Sequence, residues 1–560
     1  MPAGVGPCLS RQTQTGILMN RRSEGLCVGI LSCEGHESGA PVGNMILKRL
    51  PRFPLITLAL AAAGVMFVRS LPEFERNLKS WLTAGIPLLA LILNLIWFAF
   101  TKRFSGRTRG LGIAAAVLIV FGLKASLRVD GTVDGTGMPR FVWKWSAQSH
   151  PRLAKLTPGA ADAGTPASEA ARLALAADVP QFFGPNRDGL VTGVKLAHEW
   201  KTKAPRELWR QPIGAGWSAF AAVNGRAYTQ EQRGEDELIT CYDLLTGRLV
   251  WAHADKARFF QWQGGEGPRA TPSVHQGRVY ACGATGLLNC LDAVTGKPVW
   301  QRAVLEDNKL QNIEWGVSAS PLIVDDKVIV TGGKTQGPVL FAYQCATGAP
   351  LWKAGNDQAS YASPILATVA GRRIIMSNNA RALTGYDPAS GAVLFDHAWG
   401  GEKWPKASQP VVISADRVFI SAGYGMGCRM LQIKAEPDGK LSATEVWSNM
   451  KMKTQFNSPA LREEHLYGLD DGRLACLDVA SGERLWKEGR FASGQSLLVG
   501  DVVIVQSESG PVHLCAAKPE GFEEIGRINA LSSKTWNHPV LAGRYLLVRN
   551  DREAVCYELP

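Results

Sequence analysis

The stretch "CLDAVTGKPVW", from Cys290 to Trp300, constrains the fold of this 560-residue chain more than any other, because it recurs. "CYDLLTGRLVW" ends at Trp251, "AYQCATGAPLW" at Trp352, "GYDPASGAVLF" at Phe395 and "CLDVASGERLW" at Trp486. Weaker copies end at Trp447 and near Ile525. Counted from Trp209 in "PRELWRQ", the unit ends are spaced 42, 49, 52, 43, 52, 39 and 39 residues apart. A period of about 40–50 residues holding four short strands is the signature of a β-propeller.

The unit ending at Trp352 shows the strands as "SPLIVDD", "KVIVTGG", "VLFAYQC" and "APLW". In the D-x-x-T-G element the Asp side chain accepts backbone N–H bonds within the turn, and the Gly takes the positive φ that a short hairpin requires. The Trp that follows sits on the outer strand, where its ring fills the gap to the next blade. Trp209, Trp251, Trp300, Trp352, Trp447 and Trp486 are therefore read as blade-docking residues. After seven units the chain offers three more strands, "HPVLAG", "RYLLVRN" and "EAVCYEL". The fourth is supplied by the strand near Trp209, so residues 181–560 are expected to close into an eight-bladed, all-β propeller without exposed sheet edges.

The net charge of +12 resides in the N-terminal part: residues 1–150 carry +10 and the remainder +2. Three apolar stretches lie there, Leu55–Val68, Trp81–Phe100 and Leu111–Leu123. The middle one alone matches a bilayer core of about 30 Å, and flanking Lys and Arg lengthen the others by snorkelling. Residues 45–127 are thus expected to form three transmembrane helices. Lys48, Arg49, Arg52, Lys102, Arg103, Arg107 and Arg109 place the N-terminus and the 101–110 loop in the cytoplasm by the positive-inside rule, and the propeller outside it. Membrane topology accounts for the basic excess, so no nucleic-acid partner is inferred. Residues 1–44, polar and patternless, are expected to be disordered or a start-site extension. Residues 128–180 are expected to be a juxtamembrane segment and an Ala/Pro/Ser-rich linker, with a short helix around Ser168–Ala177.

The eleven Cys include no CxxC or vicinal pair and no zinc spacing. Cys241, Cys290, Cys476 and Cys556 hold one repeat position, which reads as a small buried residue.

The units resemble PQQ-like (quinoprotein alcohol dehydrogenase-like) propeller repeats, whose pattern is A-x-D-x-x-T-G-x-x-x-W. "QFFGPNRDG" at 181–189, "GEGPRATP" at 265–272, "SAGYGMGC" at 421–428, "YGLDDGRLACLD" at 467–478 and "PRFVWKW" at Pro139–Trp145 resemble one bacterial subfamily with an N-terminal membrane region. The resemblance implies two functional classes. Methanol-dehydrogenase-type relatives use PQQ with Ca²⁺ in the funnel, held partly by a vicinal disulfide that this chain lacks. The eight-bladed scaffold of the outer-membrane barrel-assembly machinery binds protein partners instead.

The longer links and the starts of the inner strands gather unusual side chains around one channel mouth. Trp217, Arg269, Glu314, Trp315, Tyr361, Trp404, Gln455, Asn457, Trp536 and His538 are the candidate funnel ligand-binding residues, accompanied by Trp262, Glu266, Glu402, Phe456 and Asn537. No Ser-His-Asp spacing, phosphate loop, paired-carboxylate motif or metal-ligand cluster can be read, so no catalytic residue and no cofactor are assigned from the residues themselves. The expected function is that of a membrane-anchored extracytoplasmic binding or scaffolding module of the bacterial envelope, in the inner membrane, with a protein or small-molecule ligand at the funnel. The alternative is a PQQ-dependent alcohol or sugar dehydrogenase.

Overall fold

In the repeat turn the Asp organises the backbone. In a computed structural model, which describes residues 51–146, 153, 178–200, 202–401 and 405–560, Asp292 Oδ1 accepts the N–H of Val294 at 3.1 Å and of Thr295 at 2.8 Å, and the Thr295 hydroxyl at 2.7 Å. Asp243 and Asp387 do the same in their own units. The stretch 1–44 and the short helix expected at Ser168–Ala177 lie outside the described residues.

The turn delivers the Trp to two neighbours. Within its blade, Trp300 stands opposite Cys290, Trp251 opposite Cys241, Trp486 opposite Cys476 and Trp209 opposite Cys556. The Cys position is small because an indole faces it, and these four thiols are buried and unbridged. Toward the next blade, the rings of Trp209, Trp251, Trp300 and Trp447 land on the Gly of that blade's own turn. A Cβ added at Gly247 would lie 2.6 Å from the Trp209 ring, at Gly296 2.5 Å from Trp251, and at Gly348 2.6 Å from Trp300. The indole N–H of Trp209 donates to Leu244 O at 2.8 Å, of Trp251 to Ala293 O at 3.1 Å, of Trp300 to Cys345 O at 2.9 Å, of Trp447 to Val479 O at 3.2 Å and of Trp486 to Lys518 O at 2.9 Å. Trp352 packs on Gly391 in the same manner with no acceptor for its N–H. The turn Gly therefore serves twice, for its positive φ and as the landing site of the preceding blade.

Eight blade sheets result among the described residues, each with four antiparallel strands ordered from an inner to an outer one, and one of them with a fifth, parallel strand added at its inner edge. In the eighth, the inner strand Val540–Ala542 is followed by Tyr545–Arg549 and Glu553–Glu558, and the outer strand is Arg206–Pro212 from the start of the domain. Trp209 thus closes the ring twice over, pairing with the last strand and docking on the first blade. The core is a series of apolar layers between adjacent blades; one joins Val512, Leu514, Val548 and Val555, the next Trp209, Phe220, Tyr242 and Leu547.

Before the propeller, three helices exceed the apolar stretches seen in the sequence: α1 (Arg52–Ser70), α2 (Arg76–Phe100) and α3 (Gly106–Ser126). All three are long and apolar enough to cross a membrane. They expose Leu58, Phe67, Leu89, Leu118 and Phe121, among others. A helix exposing apolar side chains on every side is suited to lipid rather than to water. Directly after α3 comes a two-stranded hairpin, β1 (Leu127–Thr132) and β2 (Pro139–Trp143).

Gly277 has φ +71° with open space around it, whereas Gly348, at φ +69°, lies under Trp300. Both Ala variants meet a left-handed backbone cost of about 1–2 kcal/mol. Denaturant unfolding is expected to show an additional loss of about 1–3 kcal/mol for Gly348→Ala from overpacking; equal losses would dissociate the ring contact from closure.

Candidate functional site

The central channel is largely filled by the chain itself. Residues 179–191 run inside the ring of inner strands. Val179 bridges to Ala222, Pro180 accepts from Val274 N, and Leu190–Val191 pairs in parallel with Leu498–Val499. Arg187, at φ +56°, is fully enclosed and donates to the carbonyls of Ser320 (3.2 Å), Pro364 (3.0 Å) and Pro321. The "QFFGPNRDG" stretch is therefore a channel filler whose Arg ties together two neighbouring blades.

The hairpin reaches the channel from the other direction. Its tip, Thr132–Gly137, helps to line a cavity of about 340 Å³ together with Phe182 of the filler. This volume is within the range of small-molecule sites. Seven of the ten funnel residues named from the sequence line it: Trp217, Arg269, Trp315, Tyr361, Gln455, Trp536 and His538. Each lies a few residues before an inner strand, so the blade geometry aims it inward. Glu314 is exposed and is not part of the lining. Asn457 is spent inside its own blade, donating to Leu469 O at 3.3 Å and accepting from Leu469 N at 3.1 Å. Trp404 and Glu402 lie outside the described residues.

The wall is aromatic. Trp217 and Trp536 have ring centroids 4.8 Å apart, and Phe456 lies 5.2 Å from Trp536. Trp315 and Tyr361 form a second pair at 5.2 Å. The polar lining includes Thr271, Ser318, Ser320, Ser363, Gln455 and Gln495. The charged groups are already engaged. Arg269 donates to the carbonyls of Gly264 (3.3 Å), Gly265 (2.8 Å) and Gly267, and its guanidinium carbon lies 4.5 Å from the Phe259 ring. Burial lowers its pKa to about 9. His538 packs on Phe183 at 4.5 Å and bonds to Ser496 O at 3.0 Å, and burial holds its pKa down to about 4, so it is neutral. Such a chamber suits an uncharged ligand that stacks on aromatic rings and bonds to hydroxyl and amide groups.

The residues that seat the hairpin were not visible from the sequence. Glu508, with a side chain only 5% exposed, accepts from Gly135 N at 2.5 Å, Ser493 N at 3.0 Å, Trp536 Nε1 at 2.6 Å and Arg76 Nη2 at 3.1 Å. Arg76 opens α2 and also pairs with Asp134 of the hairpin tip at 3.3 Å. Its N–H donates to Asp471 at 2.8 Å, whose carboxyl is raised to about 6 by burial. In the loop between α1 and α2, Glu75 accepts from Gly425 N and Glu73 pairs with Arg484. Burial raises the Glu73 pKa, but the bond and charge of Arg484 outweigh it and hold the carboxyl below its ordinary value. Arg484 also joins Lys453 and Lys487 around buried Asp470 at 2.8–3.0 Å. The turn-rich "DGTVDGTG" could have announced a hairpin, but not where its tip goes.

A family model described as "Outer membrane protein assembly factor BamB" matches residues 235–488. The Outer membrane protein assembly factor BamB of Burkholderia pseudomallei (strain K96243) is 23% identical over 367 residues, 61% of this chain and 85% of that protein. The Quinohemoprotein alcohol dehydrogenase ADH-IIG of Pseudomonas putida is 26% identical over 165 residues, covering 28% of this chain and only 21% of that enzyme. Among solved structures, a europium-containing methanol dehydrogenase superposes with a TM-score of 0.50 at 11% identity, covering 68% of this chain and 91% of that one. The chain is an eight-bladed β-propeller whose repeats are similar to those of PQQ-like propellers. The propeller does not, however, present a fitting PQQ site. The cofactor is a planar tricarboxylate that needs cations and a rigid platform. Here, among the described residues, the one lining guanidinium is bonded to backbone carbonyls, and Asp134, the one lining carboxylate, is occupied by Arg76 and by Thr136 N at 2.9 Å. The eight described Cys are buried and free.

Two outcomes follow. An unfolded chain binds a proton at His538 near the usual 6.5, which the folded chain takes only at about 4. His538 thus contributes stability that is complete above pH 6.5 and is lost as pH falls toward 4, by ~1.4 kcal/mol per unit. His538→Gln should flatten this part of a pH–stability profile. Glu508→Ala leaves Arg76, Gly135 N and Trp536 without their shared acceptor. It is expected to cost about 3 kcal/mol and to speed limited proteolysis within residues 127–143, read by mass spectrometry.

Proposed function

We propose that this chain is a binding and scaffolding module of the bacterial cell envelope, held by three helices in the cytoplasmic membrane with its propeller on the extracytoplasmic side. The observation that carries the reading is the seating of the membrane-proximal segments on the funnel. The α1–α2 loop and the hairpin after α3 both engage the propeller through Glu73, Arg76 and Asp134. That arrangement matches three crossings. It leaves the α2–α3 connection, with Lys102 and Arg103, at the opposite end of the helices, where the positive-inside rule requires cytoplasm.

The similarity to proteins named outer membrane protein assembly factor BamB supports a protein partner. With the funnel mouth occupied by the chain's own hairpin, that partner meets the propeller on its perimeter or its far face. The funnel residues Trp217, Trp315, Tyr361 and Trp536 then serve a small uncharged ligand enclosed beneath the hairpin.

The test is a pair of reporter fusions after residue 560 combined with crosslinking in intact cells. The reading expects an alkaline phosphatase fusion to be active, a cytoplasmic β-galactosidase fusion to be inactive, and an envelope protein to be captured reproducibly. The reverse reporter pattern would overturn the topology. PQQ- and Ca²⁺-dependent alcohol oxidation by the purified chain would overturn the scaffold.

A further inference from the structure

The hairpin has a second face. Side chains alternate along a strand, and cross-strand partners share a face. Leu127 pairs with Trp143 and Val129 with Phe141, whereas Arg128 pairs with Val142. One face is therefore an apolar strip of Leu127, Val129, Phe141 and Trp143. Val129 is 48% exposed, Phe141 61%, Trp143 47% and Trp145, stacked on Trp143 at 5.0 Å, 72%. The other face is polar and half-buried, with Arg140 bonded to Asp130 at 2.6 Å and Arg128 Nη1 to Lys144 O at 3.5 Å. A small hairpin with four large apolar groups in the open on one side is not suited to water.

The strip follows α3 without a break: Ser126 is the last helical residue and Leu127 begins β1. Lys124, in the last turn of α3, and Lys144, between Trp143 and Trp145 in sequence, are both exposed. At ~3.3 Å per strand residue, Leu127 to Val129 covers about 7 Å. The headgroup layer on each side of a bilayer core is about 5–8 Å deep. Trp at this level with neighbouring Lys is the composition of a membrane–water interface.

We infer that the Leu127/Val129/Phe141/Trp143 face of the hairpin lies on the bilayer surface, in the headgroup layer, while its tip occupies the propeller funnel. "PRFVWKW" is then an interfacial anchor that fixes the plane of the membrane against the funnel mouth. The inference rests on the proposal that α1–α3 span a bilayer, and its test separates the two.

Nitroxide labels are placed singly on the full chain in liposomes of phosphatidylethanolamine and phosphatidylglycerol. The background carries Cys8→Ser, Cys27→Ser and Cys33→Ser, the eight other Cys being buried. The labelled positions are Val129→Cys, Phe141→Cys, Arg128→Cys, Arg140→Cys and, as a reference in α3, Leu118→Cys. The ratio of collision with oxygen to collision with a water-soluble nickel chelate is expected to be several-fold higher at 129 and 141 than at 128 and 140, and highest at 118. A high ratio at 118 with a low one at 141 would overturn the interfacial anchor alone. Low ratios at both would overturn the membrane span. Protection of 141 from both reagents would mean a protein surface covers the strip, and would equally overturn the anchor. Since Val129 and Phe141 are exposed, their labels leave the fold intact, which the near-ultraviolet circular dichroism of the labelled chains checks.

Discussion

An indole resting on a glycine holds this molecule together. Five blades send their Trp onto the turn Gly of the next, namely Trp209, Trp251, Trp300, Trp352 and Trp447, and all but the Trp352 indole also donate to a carbonyl in the same turn. The contact joins the outer ends of two sheets, whose inner ends are linked by bonds such as Thr271 N to Ser320 Oγ and Ser320 N to Ser363 Oγ, both 2.9 Å. Where it occurs it fixes how one blade sits on the next, and the angles between blades set the diameter of the ring and hence the size of the channel. The Asp that shapes the turn and the Cys opposite the Trp are dependants of the contact: one places the Gly, and the other leaves room for the ring. Where Phe395 replaces the Trp, its ring falls back onto Gly385 of its own blade, which shows how much of the arrangement rests on the indole's reach.

Inside that ring the chain spends most of its channel on itself. Arg187 knits the filler to Ser320, Pro321 and Pro364, and Glu508 seats the hairpin. What is left is a chamber with aromatic walls whose charged members are neutralised by their own backbone or by each other. Its chemistry differs from a quinone dehydrogenase funnel even though the blades are of the same kind, since fold and site are separate properties of a chain.

The division between what the sequence revealed and what it did not follows contact range. The blade count, the closure at Trp209 and the docking Trp residues were legible because each is written locally and repeated several times. The lining residues before the inner strands, such as Trp217, Trp315 and Trp536, were legible because blade geometry makes their direction predictable. Asn457 shares their position in the repeat, yet its amide closes on Leu469, and nothing local distinguishes it from Gln455. The hairpin seat was invisible for a different reason. Gly135 and Glu508 are 373 residues apart, and a single, unrepeated contact at that distance leaves no pattern to read.

Closure at Trp209 also has a consequence in time. The strand Arg206–Pro212 is made early, but its partner, Glu553–Glu558, is made some 340 residues later. Until that partner arrives, the nascent domain is an open crescent with an unpaired strand at one end and an exposed Trp-docking turn, Gly247, beside it. Loop closure over such a span is slow, and unpaired strands invite pairing with other chains. If synthesis threads the domain across a membrane, the crescent waits on the far side, tethered close to the bilayer by α3. With that topology, a helical tether holding each crescent at the membrane surface would limit how two unfinished copies approach each other, and so would guard the fold during its making.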